Sequence, residues 1–197
     1  MSPWLQTQED CDMEEDTCSL AALGGHLEVL QWARGQDCPW DECTCAYAAK
    51  GGHLEVLKWA REHGCPWDSE LDGSWDQDLD CCALAAEGGH LEVLTWLRQH
   101  GCPWDAHTCI RAASEGRLAE LKWAREHDCP WDDRTCAFAA QGGHLEVLQW
   151  ARAHHCPWTQ DTCLFAVENG HLEVLRWAVE NGCPGGEGYE GYVHMMT

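Results

Sequence analysis

Fifteen cysteines and twelve histidines in 197 residues are the groups with the most obvious chemistry in this chain. Thiolates and imidazoles ligate zinc, and closely placed thiols are redox centres. A zinc site needs four ligands about 2.0–2.3 Å from one ion, and its strongest sequence mark is a paired Cys-x-x-Cys. No such pair occurs. Cys43-x-Cys45 and Cys81-Cys82 are close in sequence, but neither is a metal spacing. His63, His100, His127 and His154 each stand two residues before a cysteine. They also end an apolar helical run, where an imidazole bonds the last free carbonyls. Phosphate-cradling glycine loops, His-Glu-x-x-His and nucleophile elbows are missing as well. The expectation is therefore no catalytic residue, no metal site, no cofactor and no enzyme.

Twelve of the cysteines fall on two recurring positions. Cys18, Cys45, Cys82, Cys109, Cys136 and Cys163 form one set, and Cys38, Cys65, Cys102, Cys129, Cys156 and Cys183, each before a proline, form the other. Free cysteine behaves as a small hydrophobe, so packing accounts for both sets. The phrase Gly-His-Leu-Glu-Val-Leu recurs at His26, His53, His90, His144 and His171, with Arg117 filling the sixth place. Neighbouring marks are 27 residues apart, except His53 and His90, which are 37 apart. Six units and one ten-residue insertion follow.

Each unit predicts two antiparallel helices. Thr and Asp before the first cysteine suit a helix N-terminus. The first helix carries an Ala pair such as Ala48-Ala49, small enough for close approach of a neighbour. Gly51-Gly52 then turn the chain. Leu54, Val56, Leu57, Trp59 and Ala60 recur at helical spacing. Glu55 and its counterparts begin that second helix and Arg61 and its counterparts end it, both complementing the dipole. Pro66 and its counterparts forbid continuation. Eleven tryptophans sit at two fixed positions, Trp32, Trp59, Trp96, Trp123, Trp150 and Trp177 within the second helices and Trp40, Trp67, Trp104, Trp131 and Trp158 after the prolines. Burial of such rings should supply much of the core between units.

The run Thr-Cys-x-x-Ala-Ala-x-x-Gly-His-Leu-Glu-Val-Leu resembles the ankyrin repeat, over residues 17–185. It is most similar to the short, Trp- and Cys-rich variety common in large DNA viruses and unicellular eukaryotes. The resemblance implies an all-α, helix–turn–helix solenoid of six ankyrin-like repeats with abbreviated inter-repeat loops, since the unit here is shorter than the family's 33 residues. It also implies protein–protein interaction on a concave face. Residues 1–16 read as a cap or the remnant of a truncated repeat, 17–185 as the array with its insertion at 69–78, and 186–197 as a Gly-rich tail. Tyr192, Val193 and Met195 in that tail are placed to fold back on the last helix.

Charge narrows the partner. Acidic residues outnumber Lys and Arg by 34 to 12, a formal charge of -22. A nucleic acid or an anionic membrane needs a basic footprint, which is missing, and no apolar stretch approaches the roughly 20 residues of a membrane span. The first ten residues also lack the basic and apolar regions of a secretory leader. The expected partner is a protein with a basic surface, the expected state monomeric, and the expected compartment cytoplasm or nucleus with free thiols.

Only positions that vary between units can select that partner. After each Ala pair (Ala-Val in the last unit) stand Leu23, Lys50, Glu87, Ser114, Gln141 and Glu168, and loop residues Glu15, Glu42, Ala106, Asp133 and Gln160 vary too. The insertion adds Leu71 and Trp75, outside the framework register. In the fourth unit Arg111 replaces the Leu, Tyr or Phe of other units, Glu120 replaces valine, and Arg117 replaces histidine. Leu71, Trp75, Glu87, Arg111, Ser114 and Gln141 are thus the candidate binding residues. The competing readings are a thiol- or metal-responsive Cys-rich protein, or a fragment of a longer array without an independent role.

Overall fold

A computed structural model describes residues 17–66 and 80–189. Among these residues there are twelve α-helices and no strand. They form six consecutive pairs: α1 Thr17–Leu23 with α2 Leu27–Gly35, α3 Glu42–Lys50 with α4 Leu54–Glu62, and α5 Cys81–Gly88 with α6 Leu91–Gln99. Then follow α7 Ala106–Ser114 with α8 Leu118–Glu126, α9 Asp133–Gln141 with α10 Leu145–Ala153, and α11 Gln160–Glu168 with α12 Leu172–Glu180. The all-α solenoid of six helix–turn–helix units is the observed architecture. None of these helices is long and apolar enough to cross a membrane.

The first helices start earlier than the sequence implies. Asp41, Asp105 and Asp132 are the caps, each accepting a bond from the amide two residues on, at 2.7–3.0 Å. Asp80 accepts two, from Cys82 at 2.8 Å and Ala83 at 3.2 Å. Glu42, Ala106, Asp133 and Gln160, expected in loops, are therefore the first residues of helices. The threonines expected to help cap lie inside the first turn instead. Thr44, Thr108, Thr135 and Thr162 are wholly buried and their hydroxyls have no hydrogen-bond partner. Aspartate wins the cap because it is the residue positioned one step before the helix, where a side-chain oxygen reaches the free amides.

Each corner depends on glycine. Gly52 has φ +75°, a left-handed conformation that costs an L-residue about 1–2 kcal/mol. A Cβ there would also lie 2.5 Å from Nδ1 of His90, so the next unit occupies the space that glycine leaves.

The core is a column of alanine, cysteine and leucine. Leu30, Leu57, Leu94, Leu121, Leu148 and Leu175 repeat along it, fully buried or nearly so. Successive first helices (α1, α3, α5, α7, α9, α11) pack directly on one another, the small Ala side chains permitting close approach. Second helices pack on their own first helix and scarcely touch one another.

The cysteines pack as expected and also bond. Cys65, Cys129, Cys156 and Cys183 donate their S–H to the carbonyl of the residue capping the same unit's first helix (Asp41, Asp105, Asp132 and Thr159) at 3.2–3.4 Å. The start and end of a unit are tied together in this way.

The tryptophans flank this column instead of filling it, which corrects the expected core. Trp40, Trp104, Trp131 and Trp158 each meet the second-helix tryptophan of the following unit edge-on, with centroids 5.8–6.0 Å apart. Arg34, Arg98, Arg125 and Arg152 lie over Trp40, Trp104, Trp131 and Trp158 at 4.2–4.3 Å. The indoles are only partly buried because the space between closely stacked first helices admits nothing larger than Ala, Cys or Leu. Trp32, in the first unit, is 54% exposed. Past the last unit, Gly186–Gly188 form a short 3-10 turn and Tyr189 packs against the core. Tyr192, Val193 and Met195, like residues 1–16, lie outside the described residues.

Candidate functional site

The repeated histidine is a staple between units. Nε2 of His53 lies 2.9 Å from the Leu23 carbonyl, His90 3.0 Å from that of Lys50, and His144 3.0 Å from that of Ser114. Arg117, which looks like repeat decay, does the same work: its Nε donates to the Glu87 carbonyl at 3.1 Å. The acceptors are the residues that vary from unit to unit. Their main chain is held in one geometry while their side chains are free to differ, so diversity costs the stack nothing.

The other histidines close their helices. Nδ1 of His63, His100, His127 and His154 lies 2.8 Å from the carbonyl four residues back, that of a tryptophan. Each ring also stacks on that tryptophan, with centroids 4.1–4.2 Å apart. Their bonding partners are within their own helix, so the two-residue spacing to cysteine is incidental.

On the first helices of the second, third and fourth units the varying side chains meet. Glu87, at the end of α5, pairs with Lys50 of α3 at 2.9 Å and with Arg111 of α7 at 3.3 Å. Glu87 is well shielded, with 16% of its side chain exposed, and its Oε2 makes no hydrogen bond of good geometry. Ser114 bonds the Arg111 carbonyl at 2.9 Å. Three expected site residues, Glu87, Arg111 and Ser114, are thus brought together. Gln141 is exposed at the end of α9, one unit further on. Leu71 and Trp75 lie outside the described residues. Arg111 also interrupts a row of apolar and aromatic groups at one register, Tyr47, Leu84, Phe138 and Phe165, the last two meeting edge-on at 6.0 Å.

Lys50 belongs to this cluster although its sequence context marks it only as one variable position among six. Its opposite charge to Glu87, one unit on at the same register, is the signal that was available. Among the described residues, no group of three or more His, Cys, Asp or Glu side chains is arranged to hold a metal ion.

A family model described as ankyrin repeats (many copies) matches residues 45–98, the stretch from α3 to α6 that contains the insertion. The ankyrin repeat domain of human ASB11 superposes with a TM-score of 0.61 over 84% of this chain and 83% of that one, at 13% identity. The chain has the fold of an ankyrin-repeat solenoid. No curated protein matches it significantly in sequence. Ankyrin repeats are in general protein-interaction modules, and the fold is typically non-enzymatic. In this array the framework residues make the stack, and the main chain of the variable ones is held by the following unit.

Proposed function

We propose that this ankyrin array is a monomeric protein-interaction module or adaptor. Its site is the inner surface around Glu87, Arg111, Ser114 and Gln141, extended by Leu71 and Trp75 of the insertion, and its partner is a protein presenting a basic segment. One observation carries this reading. Leu23, Lys50, Glu87, Ser114, Gln141 and Glu168 occupy one register on a scaffold that is otherwise nearly identical from unit to unit, and no two neighbouring units carry the same residue there. A row of non-repeating side chains on a repeating frame is a recognition surface. A standard interface takes about 800 Å² from each partner, which three or four units of inner surface supply. The net charge of -22 and the acids flanking Trp75 favour a basic partner.

The test is site-directed photo-crosslinking in the native cell. A crosslinker at Gln141 or Ser114 should capture one dominant protein, and the same group at Gln149 on the outer side should not. Deleting residues 69–78 or introducing Trp75→Ala should weaken that captured complex. Identical products from both faces, or capture only from Gln149, would sink the proposal.

A further inference from the structure

Cations are scarce in this chain, and their placement is uneven. Of the twelve Lys and Arg residues, five serve the framework. Arg34, Arg61, Arg98, Arg125 and Arg152 each bond the carbonyl of the pre-proline cysteine of their own unit. Lys58 and Arg134 pair with acids of their own unit, Glu55 and Asp132. Three of the other five, Lys50, Arg111 and Arg117, converge on Glu87. Lys50 Nζ and Arg111 Nη1 lie 2.9 Å and 3.3 Å from its carboxylate oxygens, and Arg117 Nε lies 3.1 Å from its carbonyl.

Neither arginine is demanded by the stack. At the Arg111 register the other units carry Leu, Tyr or Phe. At the Arg117 register they carry histidine, which makes the same bond to the preceding unit at His53, His90 and His144. One unit has thus exchanged an apolar side chain and an imidazole for two permanent cations, and both reach Glu87.

The positive groups face outward and the acid lies beneath them. Lys50 and Arg111 keep 43% and 35% of their side chains exposed, and Arg117 is exposed. Glu87 keeps 16%, and its Oε2 is shut off from solvent. A partner approaching here meets the cations before the carboxylate. Glu87 also holds Lys50 and Arg111 in place, so less side-chain freedom is left to lose on binding. Even with Glu115, the acid that ends α7, the cations are in excess, a surplus that suits a single carboxylate.

We propose that Lys50, Arg111 and Arg117 form an anion-binding cluster that takes one acidic side chain, Asp or Glu, from the bound protein. The inference rests on the reading that this surface binds a protein, and sharpens it. The basic segment drawn by the net charge of -22 carries an acid at the place that docks here. Attraction at a distance and contact at the surface differ in sign because salt confines the field of each exposed charge to about 8 Å. Guanidinium groups match a carboxylate in shape as well as charge.

The test selects short random peptides against the full chain and keeps those that crosslink to a photoreactive group at Gln141. The kept peptides should share an Asp or Glu at one place among basic residues. By fluorescence anisotropy, Lys50→Gln and Arg111→Gln should each weaken binding at least about fivefold, with helicity unchanged. Arg117→His, which keeps the bond to the Glu87 carbonyl, should weaken it about threefold, and Glu87→Gln should not weaken it. Amidating the acid of the peptide should cost as much as Arg111→Gln, and the two changes together little more than either alone. The inference is overturned if the peptide acid is dispensable, or if Lys50→Gln and Arg111→Gln leave affinity unchanged while Glu87→Gln reduces it. If no peptide crosslinks at Gln141, the surface is not a binding site and the proposed function falls with it.

Discussion

Nε2 of His53 sits 2.9 Å from the carbonyl oxygen of Leu23, thirty residues earlier and in the preceding unit. Its ring occupies the space over Gly25, where a Cβ would come within 2.5 Å of Nδ1. A hydrogen bond and a glycine-shaped seat thus join these two neighbours, and both are lost together if the histidine is cut away.

His90→Ala should therefore lower unfolding free energy by about 1–2 kcal/mol, the scale of one hydrogen bond plus the packing around it. Arg117→His, which restores the repeated residue, should change stability by less than about 0.5 kcal/mol, because Arg117 already makes the same bond to Glu87. Urea denaturation of both variants checks this. Equal losses would show that Arg117 stabilises the stack by some other contact.

Gly52 and Gly64 share a left-handed backbone, with φ +75° and +82°, but only at Gly52 would a Cβ meet a neighbour. Gly64→Ala should cost about 1–2 kcal/mol for the backbone alone. Gly52→Ala carries that cost and the collision with His90, so its loss should be at least about 1 kcal/mol larger. If the two melting temperatures fall equally, the staple yields without penalty.

Asp80 supplies the pH dependence peculiar to this chain. Burial pushes it from 3.8 up to about 7, opposed by its two amide hydrogen bonds. Between those values the folded chain holds a proton that the unfolded chain has released. The stability from this group is complete below about pH 4 and is lost as pH rises towards 7. Asp80→Asn keeps a good cap and removes the titration. Across pH 4–7 the parent should lose stability relative to the variant, by a few kcal/mol at most on order-of-magnitude grounds. Parallel stability curves would mean that Asp80 titrates normally.

Glu120 is only 6% exposed at a register where Val93 and Val147 are 2% exposed. A carboxylate there carries a desolvation cost that valine does not. Glu120→Val should raise stability by about 1–2 kcal/mol, read as a higher urea midpoint with an unchanged slope. A fall would show that Glu120 is held by polar contacts of its own.

The period, the number of units, the helical character of each half-unit and the glycine corner were legible in the sequence, because each rests on spacing within about ten residues. So was part of the candidate site: Glu87, Arg111 and Ser114 break a repeating pattern, and a break is visible without coordinates. The sequence by itself therefore determined what each unit is and which positions differ. Only the tertiary structure decided which distant atoms meet. The bond from His53 to Leu23, the S–H of Cys65 on the Asp41 carbonyl and the clasp of Glu87 by Lys50 and Arg111 join residues 24 to 37 apart. Repetition declares positions equivalent, but the angle and distance at which one unit seats on the next settle what each position touches. The same close seating of first helices put threonine inside and tryptophan on the flank, where the repeat pattern alone had suggested the reverse.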